Sequence, residues 1–254
     1  KKTNTKNNPG NKLIVLWYKL ILFASLWALI EWFRGWLFTG FPWNPIGNVW
    51  ANISYPSQSV SIFGIYGLSL IPILSASSPS FILNGDKAKS RYKFIFIIIC
   101  NLPLILLSSW GTLRVYNADV TYVDNIKLRL VQPNISQKEK WVPQLRRKHI
   151  EKLVMMSNQE ADGITHMIWP EAAVTYALNR NKSLLEYILS SFPNDTKLIT
   201  GSPRAEINHN LITNYNSLYV ISNVGVEAVY DKVHLVPFGE YTPSFVNFFG
   251  FNKL

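Results

Sequence analysis

Residues 35–85 read GWLFTGFPWNPIGNVWANISYPSQSVSIFGIYGLSLIPILSASSPSFILNG and contain no Asp, Glu, Lys or Arg in 51 positions. About a quarter of the residues in an average soluble protein are charged, whereas the charged share of this 254-residue chain is 16%. Soluble cores rarely need so long an uncharged run. The run therefore favours a membrane-embedded segment and excludes an ordinary soluble domain or a disordered chain.

Three apolar stretches lie in and around this run, at residues 13–30, 60–83 and 94–113. A helix needs roughly 20 apolar residues to cross a bilayer. The sequence therefore predicts about three transmembrane helices over residues 13–113, after a polar leader at residues 1–12. Pro72 and Pro103 fall inside two of the stretches, which membrane helices tolerate. Three stretches in series do not fit a single cleavable signal peptide.

The distribution of charge predicts a topology for these helices. The net charge is +10, and residues 1–110 hold ten basic and two acidic groups, whereas residues 111–254 hold 15 and 13. The basic excess lies in residues 1–12 and 84–93, and none of it lies in the loop at residues 39–59. The positive-inside rule places the two basic segments in the cytoplasm, and the loop and everything after about residue 111 outside. The charge thus indicates topology, and no nucleic-acid partner is predicted.

Two charged residues, Glu31 and Arg34, interrupt the end of the first predicted helix. They are three residues apart, a spacing that lets side chains on a helix pair. We favour an ion pair at the membrane interface over the alternative, a polar contact with a lipid headgroup.

The second half of the chain alternates between strand and helix patterns. Strands are predicted over residues 126–132, 163–169, 197–200 and 217–222, and helices over residues 143–159 and 183–191. Residues 225–230 are predicted to pair with residues 217–222 across a two-residue turn. This alternation indicates an α/β domain with antiparallel hairpins over residues 114–254.

Glu171, Lys232 and Glu240 are the candidate catalytic residues. Glu171 directly follows a predicted strand, where the sites of α/β folds gather, and its carboxylate is suited to general-base catalysis. The alternative is an acid that opens a helix. Lys232 follows another strand and offers a cation for an oxyanion. Glu240 lies eight residues later, where it orients Lys232 or acts as a second acid, and the alternative is a surface salt bridge with a turn.

The four histidines give no support to a metal site. His149, His166, His209 and His234 do not have metal-ligand spacing, and no phosphate-binding glycine loop is present. His234 has no Ser or Cys near it. No metal or cofactor is predicted.

Five motifs occur in order along the chain: TGFPW at 39–43, VQPNISQ at 131–137 with KW at 140–141, WPEAA at 169–173, DK at 231–232 and VPFGEYTP at 236–243. Together they resemble the bacterial apolipoprotein N-acyltransferases of the nitrilase superfamily. The resemblance spans most of the chain. It implies a multi-pass helical segment in the cytoplasmic (inner) membrane, followed by the first part of a nitrilase-like αββα sandwich on the outer side.

The resemblance also implies roles for single residues. Glu171 matches the general base, Lys232 the lysine that stabilises the tetrahedral intermediate, Glu240 a further essential acid, and Trp141 a tryptophan near the acyl-binding pocket. The implied reaction moves an acyl chain from a phospholipid to a cysteine as a thioester. The N-terminal amine of a diacylglyceryl-cysteine apolipoprotein then takes the acyl chain, which completes lipoprotein maturation. A thiolate needs a base and the intermediate needs a cation.

The sequence departs from the family pattern at the nucleophile. The family's cysteine follows the lysine, but none of the 22 residues after Lys232 is Cys. The single cysteine, Cys100, lies in a predicted membrane helix, and we interpret it as a small apolar helix residue. We therefore interpret the chain as a fragment truncated at both ends and expect it to be inactive. The alternatives are a membrane-anchored carbon–nitrogen hydrolase and a non-catalytic remnant of a split gene.

Overall fold

The computed structural model describes residues 9–84, 90–193, 195–208 and 211–243. The chain divides into two compact units, one formed by residues 1–120 with 234–254 and the other by residues 121–233. The first described helix begins at Pro9, inside the predicted polar leader. His209 and the basic residues at positions 1, 2, 6, 87 and 89 lie outside the described residues.

The described part of the first unit is helical. Its α-helices are α1 (Pro9–Arg34), α2 (Ser54–Ser57), α3 (Val60–Leu68), α4 (Leu70–Ser77), α5 (Ser80–Asn84) and α6 (Ser90–Tyr116), with 3₁₀-helices at Leu37–Thr39 and Ile46–Trp50. Two of them, over Asn11–Arg34 and Ser90–Tyr116, are long and apolar enough to cross a membrane, and only 11% of each apolar window is buried. Apolar side chains that face outward in such numbers suit a lipid environment. The first and third predicted stretches are therefore confirmed as candidate spans.

The second predicted stretch is not one straight helix. Val60–Leu68 and Leu70–Leu83 are bent by 56° at Ser69, so the pair forms either a broken span or a re-entrant loop. Pro72 lies in the first turn of α4. A backbone N–H in the first turn has no intrahelical acceptor, so proline costs the helix no hydrogen bond there. Whether this second stretch crosses the membrane therefore stays a prediction.

Helices of the first unit pack closely at several points. Leu13, Phe81 and Cys100 are buried together, and the ring of Phe81 stacks on a ring of α6 at 5.0 Å. Gly111 of α6 meets α2 so closely that a Cβ there would lie 1.9 Å from the carbonyl oxygen of Tyr55. Only glycine allows the two backbones to approach in this way.

The second unit is built on a mixed sheet. Its strands are β1 (Leu128–Leu130), β2 (His166–Ile168), β3 (Lys197–Asn208), β4 (Leu211–Ser222) and β5 (Gly225–Asp231), and its helices are α7 (Gln137–Lys140), α8 (Arg146–Asn158) and α9 (Lys182–Leu189), with a 3₁₀-helix at Leu178–Arg180. The strands lie in chain order. The first three are parallel, and β3, β4 and β5 are antiparallel neighbours. The predicted α/β pattern is confirmed, including the hairpin in which Ser222 pairs with Gly225.

The two faces of this sheet differ in burial. One face packs against α8 and α9, whose buried residues include Ile150 and Ile188. The other face leaves Leu128, Leu130 and Leu218 exposed at 57%, 76% and 42%. Within the described residues of this unit the strands form one sheet, so the second sheet of an αββα sandwich stays a prediction.

Candidate active site

Glu171 stands at the carboxyl end of β2, three residues beyond Ile168, in the place that the sequence predicts. No α-helix begins there, since residues 171–177 form turns and irregular backbone. The alternative of a helix N-terminal acid is therefore wrong. The backbone of Glu171 lies against Gly201 of β3, where a Cβ would come within 2.8 Å of the Glu171 Cα atom. The missing side chain at position 201 lets the two backbones pack.

The carboxylate of Glu171 meets the ammonium group of Lys232. Lys232 directly follows β5, and its Nζ atom lies 3.3 Å from Glu171 Oε1. The Lys232 side chain is 31% exposed and that of Glu171 is 65% exposed, so the pair is open to solvent. A carboxylate and a cation are thus held side by side, as proton transfer and oxyanion stabilisation require.

Asn216 of β4 joins these two residues and was missed by the sequence analysis. Its Nδ2 atom donates to Glu171 Oε1 at 2.6 Å, and its backbone oxygen accepts from the Lys232 amide at 2.8 Å. Asparagine is uncommon in strands, which is the one signal by which position 216 could have been found. The side-chain amide of Asn216 thus orients the Glu171 carboxylate, and its backbone carbonyl holds the backbone of Lys232.

A second lysine and a cavity lie next to Glu171. Lys140, at the end of α7, donates from Nζ to the Glu171 backbone oxygen at 3.0 Å. Burial lowers the pKa of Lys140, and the charge of Glu171 opposes that shift. A cavity of about 350 Å³ opens beside them, and its lining residues include Gln132, Asn134, Lys140, His149, Pro170 and Thr175. Trp141 comes next in the chain and is 44% exposed.

Glu240 belongs to the first unit, in a compact turn. Its Oε2 atom accepts from the Val236 amide at 2.8 Å, and its own amide donates to the Val236 oxygen at 2.9 Å. Phe238, inside the turn, has a φ of 63°. The carboxylate of Glu240 thus closes its own loop, and its catalytic role stays a prediction.

The histidines within the described residues are not gathered into a metal site. In this part of the chain no three His, Cys, Asp or Glu side chains are close enough together to hold a metal ion. His149 lines the cavity, and the His166 ring nitrogen lies 2.9 Å from the Thr165 hydroxyl.

Asp231, the neighbour of Lys232, is held by a guanidinium group. Arg204 Nε and Nη2 donate to the two oxygens of Asp231 at 2.9 Å and 2.5 Å, and Ser217 Oγ donates to Asp231 Oδ1 at 2.6 Å. Arg204 also pairs with Glu206. The hydrogen bonds from Arg204 hold the pKa of Asp231 below its usual range. This network fixes the end of β5 and with it the start of the Lys232 segment.

Replacing Arg204 by methionine should lower the free energy of unfolding by about 1 kcal/mol at pH 7, because two carboxylates lose their cation at a partly exposed site. The folded pKa of Asp231 lies below its unfolded value, so this stabilisation is complete above about pH 4. It is lost as the pH falls through the folded pKa. Thermal unfolding in detergent at pH 7 and at pH 3 checks both statements.

A matched control is Lys197→Met, which breaks one exposed ion pair with Glu227 and should leave the free energy of unfolding nearly unchanged, because exposed ion pairs contribute little. A deficit in Arg204→Met that stays constant down to pH 3 would contradict the role given to Asp231.

The chain is similar in sequence to proteins named apolipoprotein N-acyltransferase. Residues 7–78 match the sequence model of the apolipoprotein N-acyltransferase N-terminal domain. Proteins named apolipoprotein N-acyltransferase are 30% identical over 89% of this chain in Rhodopseudomonas palustris, 34% over 90% in Bradyrhizobium diazoefficiens and 36% over 88% in Rickettsia bellii.

The chain spans less than half of these relatives, namely 44%, 45% and 44% of their lengths. Among solved structures, a glutamine-dependent NAD+ synthetase from Acinetobacter baumannii aligns with 37% of this chain at 21% identity and a TM-score of 0.29. That similarity is too low to indicate a shared fold.

Proposed function

Because the chain belongs to the apolipoprotein N-acyltransferase family, we propose that it takes part in the N-acylation of apolipoproteins. The acyl donor is a membrane phospholipid, and the acceptor is the N-terminal amine of a diacylglyceryl-modified cysteine. The acyl chain passes through a cysteine thioester. This reaction completes lipoprotein maturation.

The contact between Glu171 and Lys232 carries the proposal. In the first half-reaction Glu171 takes the thiol proton, and the thiolate attacks the carbonyl carbon of the phospholipid ester. Lys232 stabilises the oxyanion of the tetrahedral intermediate. The C–O bond then breaks, and the leaving lysophospholipid takes the proton back from Glu171. Asn216, at 2.6 Å, keeps the carboxylate oriented.

The second half-reaction uses the same groups. The amine of the lipoprotein attacks the thioester, Glu171 accepts the ammonium proton, and Lys232 again stabilises the oxyanion. The C–S bond breaks, which leaves an amide and restores the thiol. Glu240 acts as the further acid and Trp141 contacts the acyl chain.

Cys100 does not fit the role of nucleophile. It is buried in α6 of the first unit, 1% exposed, among apolar side chains. No other cysteine occurs in these 254 residues. We therefore expect this chain, tested by itself, to form no acyl thioester.

An αββα sandwich is the fold that we propose for the domain predicted over residues 114–254, which includes the second unit at residues 121–233. Its support is the apolar sheet face with Leu128, Leu130 and Leu218 exposed, since a sheet buries such a face against another layer. The two apolar helices α1 and α6 support a membrane protein. We propose a multi-pass protein of the cytoplasmic membrane, with the catalytic unit on the periplasmic side.

The proposal is tested with membranes from cells that express the whole gene to which this coding sequence belongs, because the mechanism needs a cysteine that these 254 residues do not supply. The membranes receive a phospholipid with an isotope-labelled acyl chain and a diacylglyceryl-cysteine peptide, and the peptide mass is followed. One labelled acyl chain should appear on the peptide amine. Release of ammonia or an amine from an amide substrate, without peptide acylation, would instead support a membrane-anchored carbon–nitrogen hydrolase. The absence of both activities would support a non-catalytic remnant.

A further inference from the structure

Glu31 is a carboxylate buried in an apolar helix. It lies near the end of α1 and is 7% exposed. It does not pair with Arg34, which is exposed, and no ion pair joins them in the described part of the chain. The predicted ion pair between Glu31 and Arg34 is therefore wrong, and the alternative, a contact with a lipid headgroup, stays a prediction. A buried carboxylate in a membrane segment is costly unless donors surround it.

Three donors surround the Glu31 carboxylate. Trp27 Nε1, one turn earlier in α1, donates to Oε1 at 3.2 Å. The amide of Ile46, at the start of a 3₁₀-helix, donates to the same oxygen at 2.7 Å. Ser69 Oγ donates to Oε2 at 2.7 Å. Two of the three donors are distant in sequence, so Glu31 ties separate segments to α1.

Ser69 extends this tie to the bend between α3 and α4. The serine is fully buried, and its hydroxyl oxygen accepts from the amide of Gly47 at 3.1 Å. Glu31 and Ser69 therefore satisfy two successive amides, those of Ile46 and Gly47. The first turn of a 3₁₀-helix has no internal acceptors for these amides, so the side chains fix where that helix begins.

The 3₁₀-helix that begins at Ile46 lies at one end of a loop over residues 38–50. The other end of this loop contacts the segment that carries Glu240. Thr39 Oγ1 donates to the backbone oxygen of Leu235 at 2.6 Å, and the Tyr241 hydroxyl donates to the backbone oxygen of Phe38. The ring of Phe38 meets the ring of Phe238 edge to face at 6.4 Å. All of these residues belong to the first unit.

The backbone at this contact is strained. Phe38 and Thr39 have φ values of 56° and 89°, which residues other than glycine rarely adopt. Such conformations persist only where the surroundings fix them. Here the surroundings are the Tyr241 contact on one side and the attachment of the loop to α1 on the other.

We propose that Glu31 is a positioning residue. Through Ile46 and Ser69 it holds residues 38–50 in the conformation that contacts residues 235–241, and thereby it positions the turn closed by Glu240. The consequence for acyl transfer rests on the proposed function, whereas the structural coupling does not.

Hydrogen exchange followed by mass spectrometry, on this chain in detergent micelles, tests the coupling. Glu31→Gln keeps the side-chain shape but replaces one acceptor oxygen by a donor. Exchange in a peptide over residues 44–50 should rise at least about tenfold, the effect of losing a hydrogen bond to a charged group. Exchange over residues 235–241 should rise about threefold or more. Exchange in β3 and β4 should stay unchanged.

Two serine variants keep the test decisive if Glu31→Gln does not fold. Ser69→Ala removes one donor to the carboxylate and should raise exchange in the same two peptides. Ser109→Ala removes a hydroxyl that donates within its own helix, to the Ile105 oxygen at 2.9 Å, and should change exchange in neither peptide.

Three results would overturn the proposal: unchanged exchange over residues 44–50, a rise there without a rise over residues 235–241, or a uniform rise across the whole chain. The measurement does not need acyl transfer. A failed acyl-transfer assay with coupled exchange would therefore count against the proposed function alone.

Discussion

Replacing Glu171 by glutamine should reduce the rate of acyl transfer about 10²- to 10⁴-fold, the usual contribution of a general base. Glutamine keeps the size of the side chain and an oxygen that accepts from Asn216, but it cannot take the thiol proton. The loss should appear in the rate of the first half-reaction at every phospholipid concentration. It is measured as the initial rate of peptide N-acylation by the product of the gene that encodes this chain.

The sheet offers a matched control for this variant. Glu227 of β5 also faces a lysine, with Lys197 Nζ at 2.7 Å. Glu227→Gln should leave acyl transfer within about twofold of the unaltered protein, since surface pairs contribute little. Equal rates for Glu171→Gln and Glu227→Gln would refute the role of Glu171.

Replacing Lys232 by methionine should reduce acyl transfer about 10²- to 10³-fold, as expected for the removal of one group that stabilises an oxyanion. Methionine keeps much of the aliphatic stem, so the cation is the main loss. The Nζ atom also pairs with Glu171 at 3.3 Å, and the carboxylate loses that neighbour. The same peptide assay, run at saturating phospholipid, separates this loss in kcat from a change in KM.

Lys197→Met is the control for Lys232→Met, because it removes a strand lysine of similar exposure, 44% against 31%. We expect Lys197→Met to acylate the peptide at the normal rate. The double variant Glu171→Gln with Lys232→Met should be little slower than Glu171→Gln alone, since groups that act together lose their effect together. Full additivity, or activity retained in Lys232→Met, would show that the two residues do not share one site.

The sequence predicts the second unit well where its patterns are local. The hairpin over residues 217–222 and 225–230 follows from alternation around a short turn, and it is present. The strand predicted over residues 197–200 extends to Asn208. Residues 201–208 include Gly, Pro and charged side chains of low strand propensity, and pairing with the long β4 overrides that preference.

Tertiary partners explain what the sequence does not predict. Glu31 has Arg34 within helical reach, yet its carboxylate bonds to Ile46 and Ser69, which are 15 and 38 residues away. Periodicity carries no information on such contacts. Hydropathy likewise detects the apolar stretch over residues 60–83 but not the bend at Ser69. The apolar composition is the same whether the helix is straight or bent.

In the candidate site, too, local motifs predict some residues and tertiary pairing explains the rest. Glu171 and Lys232 were found because short motifs surround them, and their contact at 3.3 Å places both at one end of the sheet. Asn216 stands in the middle of β4 without a motif that the sequence analysis recognised. Its role follows only from the pairing that brings β4 beside both residues.

Trapping the covalent intermediate tests the central claim most directly. The product of the whole gene, and not these 254 residues by themselves, is incubated with a phospholipid carrying a labelled acyl chain, without the acceptor peptide, and its intact mass is measured. We predict one labelled acyl group per protein, released by neutral hydroxylamine as a thioester is, transferred to added diacylglyceryl-cysteine peptide, and absent in Glu171→Gln. Peptide acylation without any acyl-protein, or an acyl-protein that forms equally in Glu171→Gln, would contradict the account.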